Sequence, residues 1–163
     1  SKVKSLKDFS RLAPGVDIHK DVGYNFKFTD LQSVIGIEQI KTIDYRVQRK
    51  RKLYSDYVNK LKNINQIQFF DTDLNQVTPW AIDIVLQTKT IRDNLADFLQ
   101  SKGIGSRVFY PALNFQKPYA YFKRGTLPVS ESIAERGLWL PSSIGLSNNE
   151  VDFVCDNIID YFQ

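Results

Sequence analysis

The chain has 163 residues, 42% of them hydrophobic and 25% charged, enough apolar material for a packed core, which excludes wholesale disorder and a disulfide-stapled miniprotein. No apolar run approaches the roughly 20 residues of a membrane span, and Ser1-Lys2-Val3-Lys4 has no signal-peptide core behind it, so the chain reads as soluble, unexported and cytoplasmic. One cysteine, Cys155, and one histidine, His19, exclude an intrachain disulfide and a structural zinc site, while a net charge of +4 permits an anionic partner without requiring one.

Residues 1–12 form a basic amphipathic stretch with Val3, Leu6, Phe9 and Leu12 recurring every third position, ended by Pro14-Gly15; it reads as the tail of something larger. Residues 13–28 have neither helical nor strand period and read as an ordered loop with an aromatic tip at Tyr24 and Phe26. Thr29 and Gln32 then make a capping-box pattern. An apolar stripe from Leu31 through Val47 and Tyr57 to Leu61 predicts one helix reaching about Lys62, about 50 Å long at 1.5 Å per residue, with Gly36 as the place where it bends or breaks.

The period changes after Ile64. Ile67, Phe69 and Phe70 predict a short strand, and the alternation of Trp80, Ile82, Ile84 and Leu86 predicts a clearer one. Thr88 or Thr90 caps a helix to about Lys102, stopped by Gly103. Val108-Phe109-Tyr110 is the next strand, closed by Pro111, and an aromatic loop leads to Leu127. A helix over 130–137, an extended Leu138-Trp139-Leu140-Pro141 segment and a last helix opened by Ser147 and Glu150 complete an α/β or α+β sandwich: a long helix beside a small sheet of three or four strands covered by helices.

Few residues announce chemistry. Arg46, Arg49, Lys50, Arg51 and Lys52 could neutralise nucleic-acid phosphates, but no supporting recognition motif is present, and the run reads as a solvated helix face. His19, beside Asp17 and Asp21, lacks a nucleophile and reads as a surface hydrogen-bonding group. Cys155 falls on the apolar stripe of the last helix, the place of a buried structural thiol. Gly103-Ile104-Gly105 lacks the third glycine of a dinucleotide fingerprint. Asn25 and Lys27 stand just before the capped helix N-terminus, a plausible anion site. Arg107 and Tyr110 are expected on opposite faces of a strand end.

The run from Val22-Gly23-Tyr24-Asn25-Phe26-Lys27-Phe28-Thr29-Asp30-Leu31-Gln32 to Gly36 resembles the Gly-Tyr-Asn segment of the DegT-type nucleotide-sugar aminotransferases, which are fold-type-I pyridoxal-phosphate enzymes. Arg46 to Tyr57 is similar to the family's Arg-rich helix, Arg107-Val108-Phe109-Tyr110-Pro111 to its substrate loop, and Leu127 to Glu131 with Leu138 to Pro141 to its closing segments. The Phe-Tyr-Pro form of the loop is most similar to the perosamine-synthase branch. The resemblance runs in order over nearly the whole chain and implies the family's smaller, C-terminal domain at 29–163, preceded at 1–28 by the end of the large domain and an interface loop.

It also implies roles. Asn25 would donate to the cofactor phosphate of a neighbouring subunit, with Lys27 beside it as a point charge where the family has arginine. Tyr24, Arg107 and Tyr110 would contact a nucleotide-linked keto sugar, with glutamate as amino donor. Asn114 stands where many members have histidine. The family's Schiff-base lysine lies in a Ser-Phe-x-x-x-Lys motif, with an acidic partner for the pyridine nitrogen further upstream. Neither motif occurs in residues 1–28, so no catalytic residue is assigned, and the chain is expected to be a fragment, split-gene product or decayed copy, inactive alone and lacking bound pyridoxal phosphate. Its expected partners are a second copy or an N-terminal half, with no nucleic acid and no membrane; the alternative is a noncatalytic pairing module of the same fold.

Overall fold

The computed structural model describes residues 2–13, 16–119, 121–122 and 125–163. They form two compact units, one reaching Asp44 and the other running from Tyr45 to Gln163. In the first unit helix α1 (Lys2–Leu6) is far shorter than the three-residue repeat suggested. The chain turns sharply after it, with Phe9 and Ser10 at φ 53° and 51°, a left-handed conformation that a helix cannot continue through. The returning loop lies antiparallel to this turn, Asp8 pairing with Asn25 and Arg11 with His19. The Pro14-Gly15 stop lies outside the described residues. A Cβ at position 23 would stand 2.3 Å from the backbone of Phe9 and Ser10, so Gly23 is what lets the two segments meet.

Helix α2 (Asp30–Ile40) opens as the sequence requires. Thr29 Oγ1 accepts from the Gln32 amide at 3.3 Å, and Gln32 Oε1 accepts from the Thr29 amide at 2.9 Å. The single long helix, however, is corrected to two. At Thr42 both the amide and the hydroxyl donate to the Gln39 carbonyl, at 3.3 and 3.1 Å, and this local bonding replaces the helical ladder before α3 (Ile43–Leu61) begins. Gly36 sits inside α2 without interrupting it.

The second unit is built on a four-stranded sheet: β1 (Ile67–Phe69), β2 (Ile82–Leu86), β3 (Arg107–Val108) and β4 (Gly137–Leu140). Their order is β1-β2-β4-β3, and every pairing is antiparallel. Besides α3, it is accompanied by α4 (Lys89–Ser101), α5 (Pro128–Arg136) and α6 (Asn148–Phe162). Thr88, not Thr90, caps α4, accepting from the Ile91 amide at 3.2 Å; Gly103 ends that turn at φ 74°, a conformation that glycine adopts without a Cβ penalty. Pro128 starts α5 two residues ahead of the expected boundary, because proline's fixed φ suits a first helical turn.

Register divides the sheet into two faces. Ile67 opposes Leu86, Phe69 opposes Ile84, Ile84 opposes Leu138 and Ile82 opposes Leu140, so these side chains share a face. That face meets Leu53, Tyr57 and Leu61 of α3, Leu95 and Leu99 of α4, and Val151, Cys155 and Ile158 of α6 in one core. The opposite face carries Gln68, Asp83, Val85, Gly137, Trp139 and Arg107. α5 packs against β2, and Arg136 of α5 donates to the Leu86 carbonyl at 3.0 Å. The second face therefore retains polar and aromatic side chains for other uses.

Cys155 is fully buried in that core, and burial pushes its thiol up to about 12. Since the thiolate is the reactive form, the native chain should release no thionitrobenzoate from a disulfide reagent at pH 8, with one equivalent appearing only in denaturant. Rapid native reaction would contradict the packing of α6. Among the described residues no helix is long and apolar enough to cross a membrane.

Candidate functional site

In the first unit the Tyr24 and Phe26 rings stack at 5.2 Å with an interplanar angle of 10°. Both are well exposed, because the alternate residues of the returning strand-like segment point away from α1. Between them Asn25 holds its backbone against Asp8, while its carboxamide is exposed and makes no hydrogen bond among the described residues. Lys27 is differently placed. Its ammonium lies 2.6 Å from Asp8, and that hydrogen bond is the main cause holding the Asp8 carboxyl below its ordinary value. An incoming anion at Lys27 therefore competes with Asp8.

This pair gives a signed expectation. A depressed carboxylate pKa means the pair's contribution is complete above the ordinary aspartate range and is lost as pH falls through the folded value. Lys27→Ala should raise the Asp8 pKa toward its ordinary value in a carboxyl-detected NMR titration; an unmoved titration curve would show that the ion pair is not formed. His19, also in this loop, donates from Nδ1 to the Phe9 carbonyl at 2.7 Å, a structural link.

In the second unit the sheet's open face gathers what the sequence scattered. Asp83, Trp139 and Arg107 are direct neighbours across β2, β4 and β3. The Trp139 indole donates to the Asp83 carboxylate, although desolvation is the larger influence and leaves that carboxyl above its usual value. The Arg107 guanidinium lies over the Trp139 ring at 5.5 Å and over the Tyr110 ring at 4.9 Å, with Tyr110 edge-on to Trp139 at 5.0 Å. Arg107 and Tyr110 are thus together, correcting their expected separation. The strand stops at Val108, with only the Phe109 amide reaching the Gly137 carbonyl at 3.2 Å, so the alternation that would have opposed them ends first. Contact with two ring faces holds the guanidinium in place while leaving its N–H edges available. No carboxylate or carbonyl takes them among the described residues.

Gly137 makes room for this arrangement, since a Cβ there would stand 2.2 Å from the Phe109 ring, which packs at 5.2 Å on Trp139. On the other flank Lys50 of α3 donates to the carbonyls of Trp80 and Ser142, each at 2.6 Å, and partial burial lowers its pKa. Within the basic run Arg49, Lys50 and Arg51 are corrected from a solvated face to loop anchors, whereas Lys52 is exposed as expected. Arg49 donates to the Leu146 carbonyl, Arg51 to that of Asn75 at 3.2 Å, and Lys52 pairs with Asp56 at 2.5 Å. Loop carbonyls without ladder partners need donors, and long cationic side chains on the adjoining helix supply them. Asn114 Nδ2 donates to Glu131 at 2.6 Å, tying the aromatic loop to α5. Trp80, Asp83 and Trp139 were missed as site residues. The usable signal was alternation in Leu138-Trp139-Leu140, which sets a large aromatic on the face opposite two core leucines.

The family model described as the DegT/DnrJ/EryC1/StrS aminotransferase family matches residues 2–159. The chain is 30% identical over 146 residues to a GDP-perosamine synthase of Escherichia coli O157:H7, covering 89% of this chain and 39% of that protein. It is likewise 30% identical over 148 residues to a GDP-perosamine synthase of Vibrio cholerae, covering 89% and 40%. It spans about two-fifths of the length of these curated relatives. Its fold superposes on a DegT DnrJ EryC1 StrS aminotransferase from Brucella abortus with a TM-score of 0.87 at 22% identity, covering 98% of this chain and 42% of that one. Helicobacter pylori PseC, an aminotransferase involved in the biosynthesis of pseudoaminic acid, superposes with a TM-score of 0.82 at 18% identity, covering 99% and 45%.

Proposed function

The chain belongs to the DegT/DnrJ/EryC1/StrS aminotransferase family, and from that premise we propose that it is the smaller, C-terminal part of an enzyme that moves an amino group from glutamate to a nucleotide-linked keto sugar. The product class is an amino sugar for polysaccharide or lipopolysaccharide assembly, as the roles of its relatives suggest, and the site of action is the cytoplasm. The observation that carries this reading is the stacked, unpaired Arg107 guanidinium beside Tyr110 on the open sheet face. A fixed guanidinium with free N–H edges suits a phosphate or carboxylate, and the phenol adds a hydroxyl donor for a sugar.

The first unit is assigned the cofactor contact. Asn25 offers an exposed carboxamide with no competing bond among the described residues, which fits a phosphate acceptor; Lys27 fits less well because Asp8 already holds it. Pyridoxal phosphate, when bound, supplies the electron sink for moving the amino group. Asn25 would grip its phosphate from a neighbouring subunit, and Tyr24 would border the substrate. In the assembled enzyme, Asn25→Ala should weaken cofactor retention by about 1.5–3 kcal/mol, the range of one lost charge-assisted hydrogen bond, read by cofactor absorbance after dialysis. Unchanged retention would remove Asn25 from the phosphate site.

Assembly is also proposed. Helix α2 buries none of its residues within the chain, and Leu31, Val34, Ile35 and Ile40 are each more than half exposed. Apolar surface of this extent is uncommon on a monomer. Sedimentation velocity should therefore show concentration-dependent association, as a dimer or with an N-terminal half; a clean monomer at all concentrations would speak against it.

A further inference from the structure

The segment that follows Tyr110 is held by few contacts of its own. Phe115, Gln116 and Tyr119 each donate a backbone bond to the carbonyl three residues back, at 3.0, 3.0 and 2.9 Å, so the chain closes short turns without reaching the sheet. Leu113 and Phe115 are 64% and 63% exposed, and apolar burial therefore does little to fix it. Among the described residues, the side-chain hydrogen bond that leaves the stretch from Ala112 to Tyr119 is that of Asn114, whose Nδ2 donates to Glu131 Oε1 at 2.6 Å.

Glu131 is itself held at the start of α5. Leu127, the residue before that helix, has no capping side chain, and the same Oε1 accepts from the Leu127 amide at 3.0 Å. One carboxylate oxygen thus gathers a donor from early in the β3–α5 connection and another from its end, both bonds strengthened by its charge. That charge also orients the carboxamide. A flipped Asn114 would set oxygen against the carboxylate, so Nδ2 is turned to Glu131 and Oδ1 is left buried with no partner. The bond joins two sides of a cavity of about 450 Å³, with Tyr110, Leu113 and Asn114 on one side and Val129, Ser130 and Ile133 of α5 on the other.

We propose that Glu131 is a positioning residue for Tyr110: its carboxylate latches Asn114 and so keeps the Tyr110 side of the cavity closed against α5. The proposal rests on the reading that Tyr110 borders the sugar, and adds what holds the phenol there. Tyr110 is 58% exposed, and its hydroxyl makes no hydrogen bond among the described residues. Its edge-on contact with Trp139 at 5.0 Å supplies no polar partner, so the phenol depends on its backbone for placement. Pro111 confines the backbone of the residue before it to extended conformations, and pinning Asn114 three residues further on fixes the other end.

Hydrogen exchange of the full chain, read by mass spectrometry over residues 111–119, tests the latch. Both bonds fall on Oε1, so Glu131→Gln keeps their acceptor and should match the parent. Asn114→Asp sets two carboxylates together and should speed exchange about tenfold, the effect of one charge-assisted hydrogen bond; Glu131→Ala should do the same. Asn114→Asp combined with Glu131→Gln should restore the parental rate, with the bond re-formed in the opposite direction. Asn114→Asp and this double variant leave the Leu127 bond in place, so they decide the matter even where Glu131→Ala unwinds α5.

Equilibrium dialysis of the same chains with a radiolabelled GDP-linked hexose tests the positioning role. Affinity should fall in Asn114→Asp and recover in the double variant, while Tyr110→Phe should bind weakly at a parental exchange rate. Parental exchange in Asn114→Asp, or no recovery in the double variant, overturns the latch and leaves the reading of Tyr110 standing. Faster exchange with unchanged affinity makes Glu131 a structural tie and overturns its positioning role. Parental affinity in Tyr110→Phe, or no binding by the parent chain, overturns the reading of Tyr110 instead, whatever the exchange rates.

Discussion

Pyridoxal phosphate, glutamate and a nucleotide-linked keto sugar supplied to the 163-residue chain alone are expected to yield no amino sugar. The same mixture should turn over once the large-domain portion carried by full-length relatives is added, in one polypeptide or as a second one. The chemical reason is that the cofactor needs a lysine held against it and an acidic partner at its ring nitrogen to act as an electron sink. The family resemblance places both in motifs absent from residues 1–28. The expected gain on reconstitution is from background to turnover measurable by mass spectrometry of the sugar nucleotide. Sustained turnover by the chain alone would overturn the domain assignment; failure of an assembled, cofactor-loaded complex would overturn the proposed function.

The second large effect concerns stability and the site together. Gly137→Ala places a methyl carbon within 2.2 Å of the Phe109 ring, and Gly137 lies in β4, between the core strand β2 and the edge strand β3. The ring must move, and with it the stack on Trp139 that orders Arg107. Overpacking of this kind costs about 1–3 kcal/mol, a fall in Tm of roughly 2–12 °C for a chain of this size. Tryptophan emission should shift in parallel, because Trp139 loses a neighbour. Leu138→Ala, one residue on and pointing into the opposite core, should cost about 2–5 kcal/mol with less change in emission. Calorimetry and fluorescence of the two variants test this division of the sheet into a packing face and a working face. A Gly137→Ala chain with parental Tm and emission would refute it.

Much of this protein was determined by local sequence. Thr29 with Gln32 and Ser147 with Glu150 start helices wherever they stand, because the capping hydrogen bonds involve residues only three apart. The alternation of Ile82, Ile84 and Leu86 set a strand and its buried face, and the apolar stripe of the last helix buried Cys155. The Gly-Tyr-Asn segment carried the family resemblance without any coordinates. Tertiary structure decided what depends on partners distant in the chain. A helix break at Lys41 and Thr42 reflects a competition among hydrogen bonds that apolar periodicity does not register. The basic residues of α3 became anchors because Trp80, Ser142 and Leu146, far along the chain, brought their carbonyls to that helix. Arg107, Tyr110 and Trp139 form one site because β4 pairs between β2 and β3, and a pairing order is fixed by which faces can be buried together, a property of the whole sheet that no single segment contains.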